Sequence, residues 1–124
     1  MMAVIQQATV DFQRLRKQFD LSPAQFKKML TDSVENIEAD ICGFEIACAG
    51  FGEMQTVTYL FDISRISQKI GATDIGAVST DLQKFICESP QGQGPLGYDI
   101  RLYTLLSLLK KTVYNYRQLI ETLM

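Results

Sequence analysis

Apolar residues recur at helical spacing along most of this chain, and that pattern limits what it can fold into. Phe26, Met29, Leu30, Val34, Ile37, Ile41, Phe44 and Cys48 are the longest example. An α-helix turns about 100° per residue, so this spacing gathers them on one stripe, opposite Lys27, Lys28, Glu35 and Asp40. No segment alternates apolar and polar residues strictly enough to make a half-buried strand, and no internal repeat is present. The chain is therefore expected to be all-α.

Local signals divide it into five helices. Val4 or Ile5, Ala8, Phe12, Leu15 and Phe19 predict a first helix from about residue 3 to 18. Ser22-Pro23-Ala24-Gln25 then reads as a helix start, with Ser22 as cap, Pro23 at the first helical position and Gln25 completing a capping box. The long second helix should end at Gly50-Phe51-Gly52. A third, from about Glu53 to Ile70, places Tyr59, Leu60, Ile63, Ile66 and Ile70 toward the core. Gly71 can terminate it in a left-handed conformation, and Thr73 can cap a fourth helix with Ile75, Val78, Leu82 and Phe85 buried. Residues 88–98, rich in glycine and proline, mark a loop before a last helix that starts near Asp99 and carries Leu102, Leu105, Leu106, Leu109, Val113, Tyr116, Leu119, Ile120 and Leu123. Short connections make neighbouring helices antiparallel, so the expected architecture is an up-and-down antiparallel four-helix bundle with an additional N-terminal helix, in one domain spanning residues 1–124.

Composition removes several classes of function. With 12 basic and 14 acidic residues well mixed, the net charge of −2 supplies no single-signed field for a phosphate backbone, so nucleic acid is not an expected partner. No basic, then apolar, leader opens the chain and no window approaches a membrane span, so a soluble cytoplasmic protein is expected. Cys42, Cys48 and Cys87 lack a CxxC spacing, and no histidine exists to complete a zinc site. They read as reduced, mostly buried apolar residues, and neither metal nor cofactor is expected.

Residues 60–82 resemble the histidine-containing phosphotransfer (HPt) domains of phosphorelays, whose motif runs roughly A-H-x-L-K-G-S-A-x-x-L-G-A-x-x-L with a further leucine on the next helix. Laid on this chain without a gap, Ile63 takes the first leucine, Ile70-Gly71-Ala72 the L-G-A, Ile75 the next leucine and Leu82 the last. The order of helices and the glycine-rich loop before the last one also fit. The same register puts Phe61 where the family carries its phosphorylated histidine, Ser64 at the lysine and Arg65 at the following glycine. A phenyl ring has no lone pair with which to attack an aspartyl phosphate, so the resemblance implies a module without phosphotransfer. Shifting the register by one would bring Asp62 to the histidine position, but it would lose the Gly71-Ala72 match.

On a helical wheel Phe61 falls about 160° from Ile63, with Val57, Ser64, Arg65 and Gln68 on the side away from the core. Val57, Phe61, Asp62, Ser64, Arg65 and Gln68 are accordingly the candidate partner-binding residues, an apolar centre with a polar rim. The bland alternative is that Phe61 packs on another helix and Arg65 is an ordinary solvated cation. If the family's mode of docking holds, Arg65 either reaches the acidic pocket of a receiver domain or, by replacing a glycine, obstructs its approach.

Catalytic readings are weaker. Glu35, Glu38 and Asp40 read as a solvated face, since acid–base or di-metal carboxylates would have to enter an apolar stripe. Ser64, Ser67, Ser79 and Cys48 have no histidine base. The G-x-G-x-x-G at 92–97 follows no strand and lacks a P-loop lysine. The expected function is non-enzymatic: binding of a receiver domain or histidine kinase without relay of phosphate. The rival is a structural or assembly bundle that homodimerises or joins a larger complex.

Overall fold

The computed structural model describes residues 11–49, 53–88 and 100–123. The regular structure among them is entirely helical: α1 (Phe12–Phe19), α2 (Pro23–Ala49), α3 (Glu53–Lys69), α4 (Thr73–Glu88) and α5 (Ile100–Glu121). α2 packs on α3, α3 on α4, α4 on α5, and α5 on α2, while α1 lies against α2. No described helix is long and apolar enough to cross a membrane.

α1 begins later than its apolar spacing suggests. Asp11 has non-helical backbone angles (φ −83°, ψ 88°), and its side chain accepts a hydrogen bond from the Arg14 N–H. Such a cap satisfies a donor that the first turn leaves open, and an unbroken helix from residue 3 would forfeit it. The expected positions Val4, Ile5 and Ala8 lie outside the described residues, as do the expected helix end at Gly50-Phe51-Gly52 and, apart from Glu88, the loop expected at 88–98. Asp20, at φ 51°, closes α1 in the left-handed region. Phe12 then meets Phe26 of α2 and Tyr116 of α5 edge-on, with ring centroids 6.2 and 6.0 Å apart.

The capping box that opens α2 is reciprocal: the Gln25 N–H donates to Ser22 Oγ at 3.2 Å and the Ser22 N–H to Gln25 Oε1 at 3.1 Å. At the far end of α3, Gly71 adopts φ 68°. The Ala72 N–H reaches the Ser67 carbonyl at 2.8 Å and the Gly71 N–H the Gln68 carbonyl at 3.3 Å. This double closure is a Schellman turn, in which a residue with a Cβ would be strained at the glycine position. Thr73 does not cap α4 as expected. The Gly76 N–H donates to the Ala72 carbonyl, so Ala72 holds the cap position and Thr73 is the first helical residue. Ala72 is buried and fixed by the turn, which shifts the helix start one residue back.

One apolar cluster draws on α2, α3, α4 and α5. Leu30, Ile37 and Phe44, Leu60 and Ile63, Ile75 and Leu82, and Leu102 and Leu109 are among its fully buried members. Each such side chain contributes about 1.5–3 kcal/mol relative to exposure. Tyr59 is partly buried, and Phe85, expected in the core, is only half-buried because Ile86 takes the inward position one residue on. The Arg101 guanidinium lies 5.0 Å above the Phe85 ring, which leaves the ring at a boundary where a cation and an apolar face both find a partner.

Tyr116, buried on α5, donates its hydroxyl to the Ile70 carbonyl at 2.6 Å. That carbonyl lies at the end of α3, where partners within the helix run out. Tyr116→Phe keeps the ring but leaves the carbonyl unpaired in the interior. The variant is expected to lose about 1–3 kcal/mol in urea unfolding with unchanged helix content by circular dichroism.

Candidate functional site

The outer side of α3 carries an exposed large apolar residue, Phe61, at 60% accessibility. The helix presents this face because its inward positions are taken by Leu60, Ile63, Ile66, Ser67 and Ile70, all buried. Arg65 and Gln68, the next residues along the same side, are also exposed. The candidate residues therefore do not form one uniform patch. Phe61, Arg65 and Gln68 face water, whereas Val57, Asp62 and Ser64 are half-buried on the two flanks of the helix.

Ser64 belongs to the seam with α4. Gln83 Nε2 donates to Ser64 Oγ at 3.0 Å, Ser64 Oγ donates to Ser79 Oγ at 3.1 Å, and Ser79 Oγ donates to the Leu60 carbonyl at 2.9 Å. Gln83 also reaches that carbonyl, at 3.3 Å. Every hydroxyl in this relay both gives and receives, so a polar seam is tolerated beside the apolar core. Ser64 is thereby engaged within the fold and is not held out on the rim. Val57 packs against the core rather than standing beside Phe61 as a second exposed apolar residue. The apolar centre of the face is Phe61.

Asp62 lies on the opposite flank, toward α2. It accepts from Arg65 Nε at 3.1 Å and from Arg65 Nη2 at 2.6 Å, both on Oδ1. Asp40, a residue of α2 that the stripe assigns to the solvated face, is near enough for the two carboxyls to perturb each other. Asp40 is half-buried, and its Oδ2 is shielded from solvent without a hydrogen-bond partner. Burial raises the Asp40 carboxyl to about 7, assisted by the neighbouring carboxylate of Asp62 and opposed by Arg65. Asp40 and the bonds from Arg65 hold Asp62 below the usual carboxylate range. A signal for Asp40 does exist in the sequence: it sits three residues after Ile37 and four before Phe44, on the edge of the stripe rather than opposite it. What brings the acids together is the close approach of the helices. A Cβ on Gly43 would stand 2.5 Å from the Tyr59 ring, so only glycine lets that ring lie across α2 one turn from Asp40.

A second feature lies between α2 and α5, on the other flank of α2. Ile41, Cys42, Val113 and Tyr114 line a groove of about 370 Å³. It is bordered by the ion pairs Glu38–Arg117, at 2.6 Å, and Glu45–Lys110, at 3.1 Å. Glu38 is thus engaged by α5. No group of three or more histidine, cysteine, aspartate or glutamate residues suited to a metal ion occurs among the described residues. Comparisons of the chain with protein-family models, characterised proteins and solved structures find no match.

The cysteines differ in a way the sequence does not reveal. Cys42 and Cys87 are exposed, against the expectation of burial, while Cys48 is buried. Burial, with the nearby charge of Glu45, pushes the Cys48 thiol up to about 11. Thiolate is the reactive form, so a disulfide reagent at pH 8 is expected to titrate Cys42 and Cys87 rapidly and Cys48 only after denaturation. Mass mapping of the modified protein reads the outcome directly.

Proposed function

We propose that this chain is a non-catalytic, HPt-like signalling module of the cytoplasm that binds a receiver domain or histidine kinase through the outer face of α3 and relays no phosphate. The observation that carries the reading is Phe61, exposed in mid-helix at the position where the ungapped HPt-like register would put the phosphorylated histidine. A docking face needs its central side chain open to a partner, and the aromatic residue there offers apolar contact in place of phosphoryl chemistry. Arg65 keeps a cation beside it, with 69% of its side chain accessible even while bonded to Asp62.

The arrangement of helices supports the corresponding fold, an up-and-down antiparallel four-helix bundle with α1 as an N-terminal addition. Adjacency runs in a closed circuit, α2 to α3 to α4 to α5 and back to α2. Facing residues advance on one helix as they recede on its neighbour: Asp40 meets Asp62 and Gly43 meets Tyr59, while Glu38 meets Arg117 and Glu45 meets Lys110. Both sets are the signature of antiparallel neighbours.

A second reading, assembly through homodimerisation or as a subunit of a larger complex, draws on apolar exposure elsewhere. Ile46 is 74% exposed on α2, and Tyr114, at 61%, borders the α2–α5 groove. Light scattering separates the readings: a monomer whose receiver binding is lost with Phe61 favours docking, whereas a tight dimer insensitive to Phe61 favours assembly.

The direct test is titration of a panel of purified receiver domains from the native cell with wild-type protein and Phe61→Ala. A central aromatic anchor is expected to account for a loss of affinity of about tenfold or more, equivalent to about 1.4 kcal/mol. Incubation with a phosphorylated receiver is expected to leave no acid-labile phosphate on this chain. Labelling there, or unchanged affinity of the Phe61→Ala variant, would overturn the proposal.

A further inference from the structure

The α2–α5 groove is built from one spacing used twice. On α2, Glu38, Ile41, Cys42 and Glu45 stand at i, i+3, i+4 and i+7, and on α5 Lys110, Val113, Tyr114 and Arg117 repeat the interval. Each helix therefore offers an apolar pair between two charges, acidic on α2 and basic on α5. Glu38 pairs with Arg117 at 2.6 Å and Glu45 with Lys110 at 3.1 Å, so positions that rise along α2 are matched by positions that fall along α5. Exposed apolar side chains gather on the same side. Tyr114 is 61% accessible, Ile46 follows Cys42 by one turn, and Tyr103 precedes Lys110 by two turns on the same stripe of α5.

We propose that the α2–α5 face docks a second copy of this chain, in a reversible two-fold dimer whose axis lies along the groove. Half a turn about that axis lays α2 of each copy over α5 of the other without a change of height. Glu38 then meets the partner's Arg117, Glu45 meets the partner's Lys110, and the partner's Tyr114 covers Ile41 and Cys42. The face is thus complementary to itself in charge and in apolar centre. An axis across the groove would instead stack α2 on α2 and set Glu38 against the partner's Glu45, which like-charge repulsion opposes.

The ion pairs within one chain do not exhaust these charges. All four side chains keep between 32% and 51% of their surface accessible, and each recorded bond uses one donor of a group that carries several. A second carboxylate can join each cation, giving an alternating cluster of four charges at either end of the groove. Such rim charges fix orientation and register, while the apolar centre supplies the gain from excluding water. The available area sets the strength. α5 has 22 residues, hence a length of about 33 Å at about 1.5 Å per residue, and two helices of about 10 Å diameter offer roughly 600 Å² per copy. That is the lower end of specific interfaces, which makes the dimer a reversible one.

The pairing gives the assembly reading a surface and an occupant. It makes no use of the outer face of α3, since the groove lies on the other flank of α2 from the α3 seam. Phe61 stays open in both copies, so a reversible dimer and receiver docking are compatible, and each stands or falls alone.

Sedimentation equilibrium on the full chain, from micromolar to millimolar concentration, is expected to show a monomer–dimer equilibrium. One variant carries Glu38→Lys with Glu45→Lys, the other Lys110→Glu with Arg117→Glu, and circular dichroism checks the helix content of both. Each is expected to self-associate about tenfold or more weakly, because like charges then face one another across the axis. Mixed in equal amounts, the two should form a heterodimer, since every contact becomes attractive again. Iodoacetamide labelling of the wild-type chain reads the same face without a substitution: Cys42 is expected to react more slowly as protein concentration rises, while Cys87 on α4 keeps its rate. A monomer at every concentration, a dimer retained in both charge variants, a mixture that stays monomeric, a dimer lost with Phe61→Ala, or Cys42 labelling indifferent to concentration would overturn the proposal. Receiver titration of Phe61→Ala decides the docking reading separately.

Discussion

Tyr116 ties together three parts of this molecule. It donates to the Ile70 carbonyl at the end of α3, immediately before the left-handed Gly71, while its ring meets Phe12 of α1 edge-on. α1, α5 and the α3–α4 turn are therefore held to one point. A helix end has carbonyls without partners, and leaving one buried and unbonded would cost more than the bond itself contributes. Burial reinforces the bond from the other side, because it keeps the phenol protonated well above its ordinary range. That bond ties the end of α3 to α5, while burial of Leu60, Ile63, Ile66 and Ile70 sets the rotation of α3 and so which of its residues meet α2, α4 or water.

With the rotation set, α3 has an apolar inner side, two polar seams and an open outer side. The seam with α4 is neutral: its hydroxyls and the Gln83 amide satisfy one another and end on the Leu60 carbonyl. The seam with α2 is charged and holds two acids against one arginine. The difference matters, because a neutral relay has no response to pH over the range in which Asp40 changes its charge. Phe61 stands between these seams and belongs to neither. Its exposure therefore does not arise from a gap in packing, since the positions on both sides have their own partners.

Much of the architecture was legible because helix formation is governed by neighbours in sequence. The Ser22–Gln25 capping box, the left-handed turn at Gly71 and the buried residues Leu60, Ile63, Ile66 and Ile70 all follow from spacing and local chemistry. The departures occur where a choice between adjacent residues depends on what stands opposite. Phe85 and Ile86 both suit the period of α4, and packing selected Ile86. Val57 and Ser64 lie on the same broad side of the wheel as Phe61, yet the core and α4 claimed them. Cys42 and Cys48 differ in exposure because the first lies beside the α2–α5 groove and the second belongs to the core.

By itself, the sequence determined that the chain is helical, where its clearest helix starts and turns lie, which stripes turn inward, and that Phe61 points away from the core. Those properties depend on the fixed rotation per residue of an α-helix and on caps within a few residues of the helix ends. Only the tertiary structure decided that Asp40 leaves the solvated face, half-buried with one oxygen shielded from solvent, near Asp62. Asp40 and Asp62 lie on separate helices, and no local pattern encodes a pairing that depends on how closely those helices approach and on their relative rotation. Gly43 against Tyr59 sets that approach, and the Tyr116 hydroxyl at Ile70 anchors the end of α3.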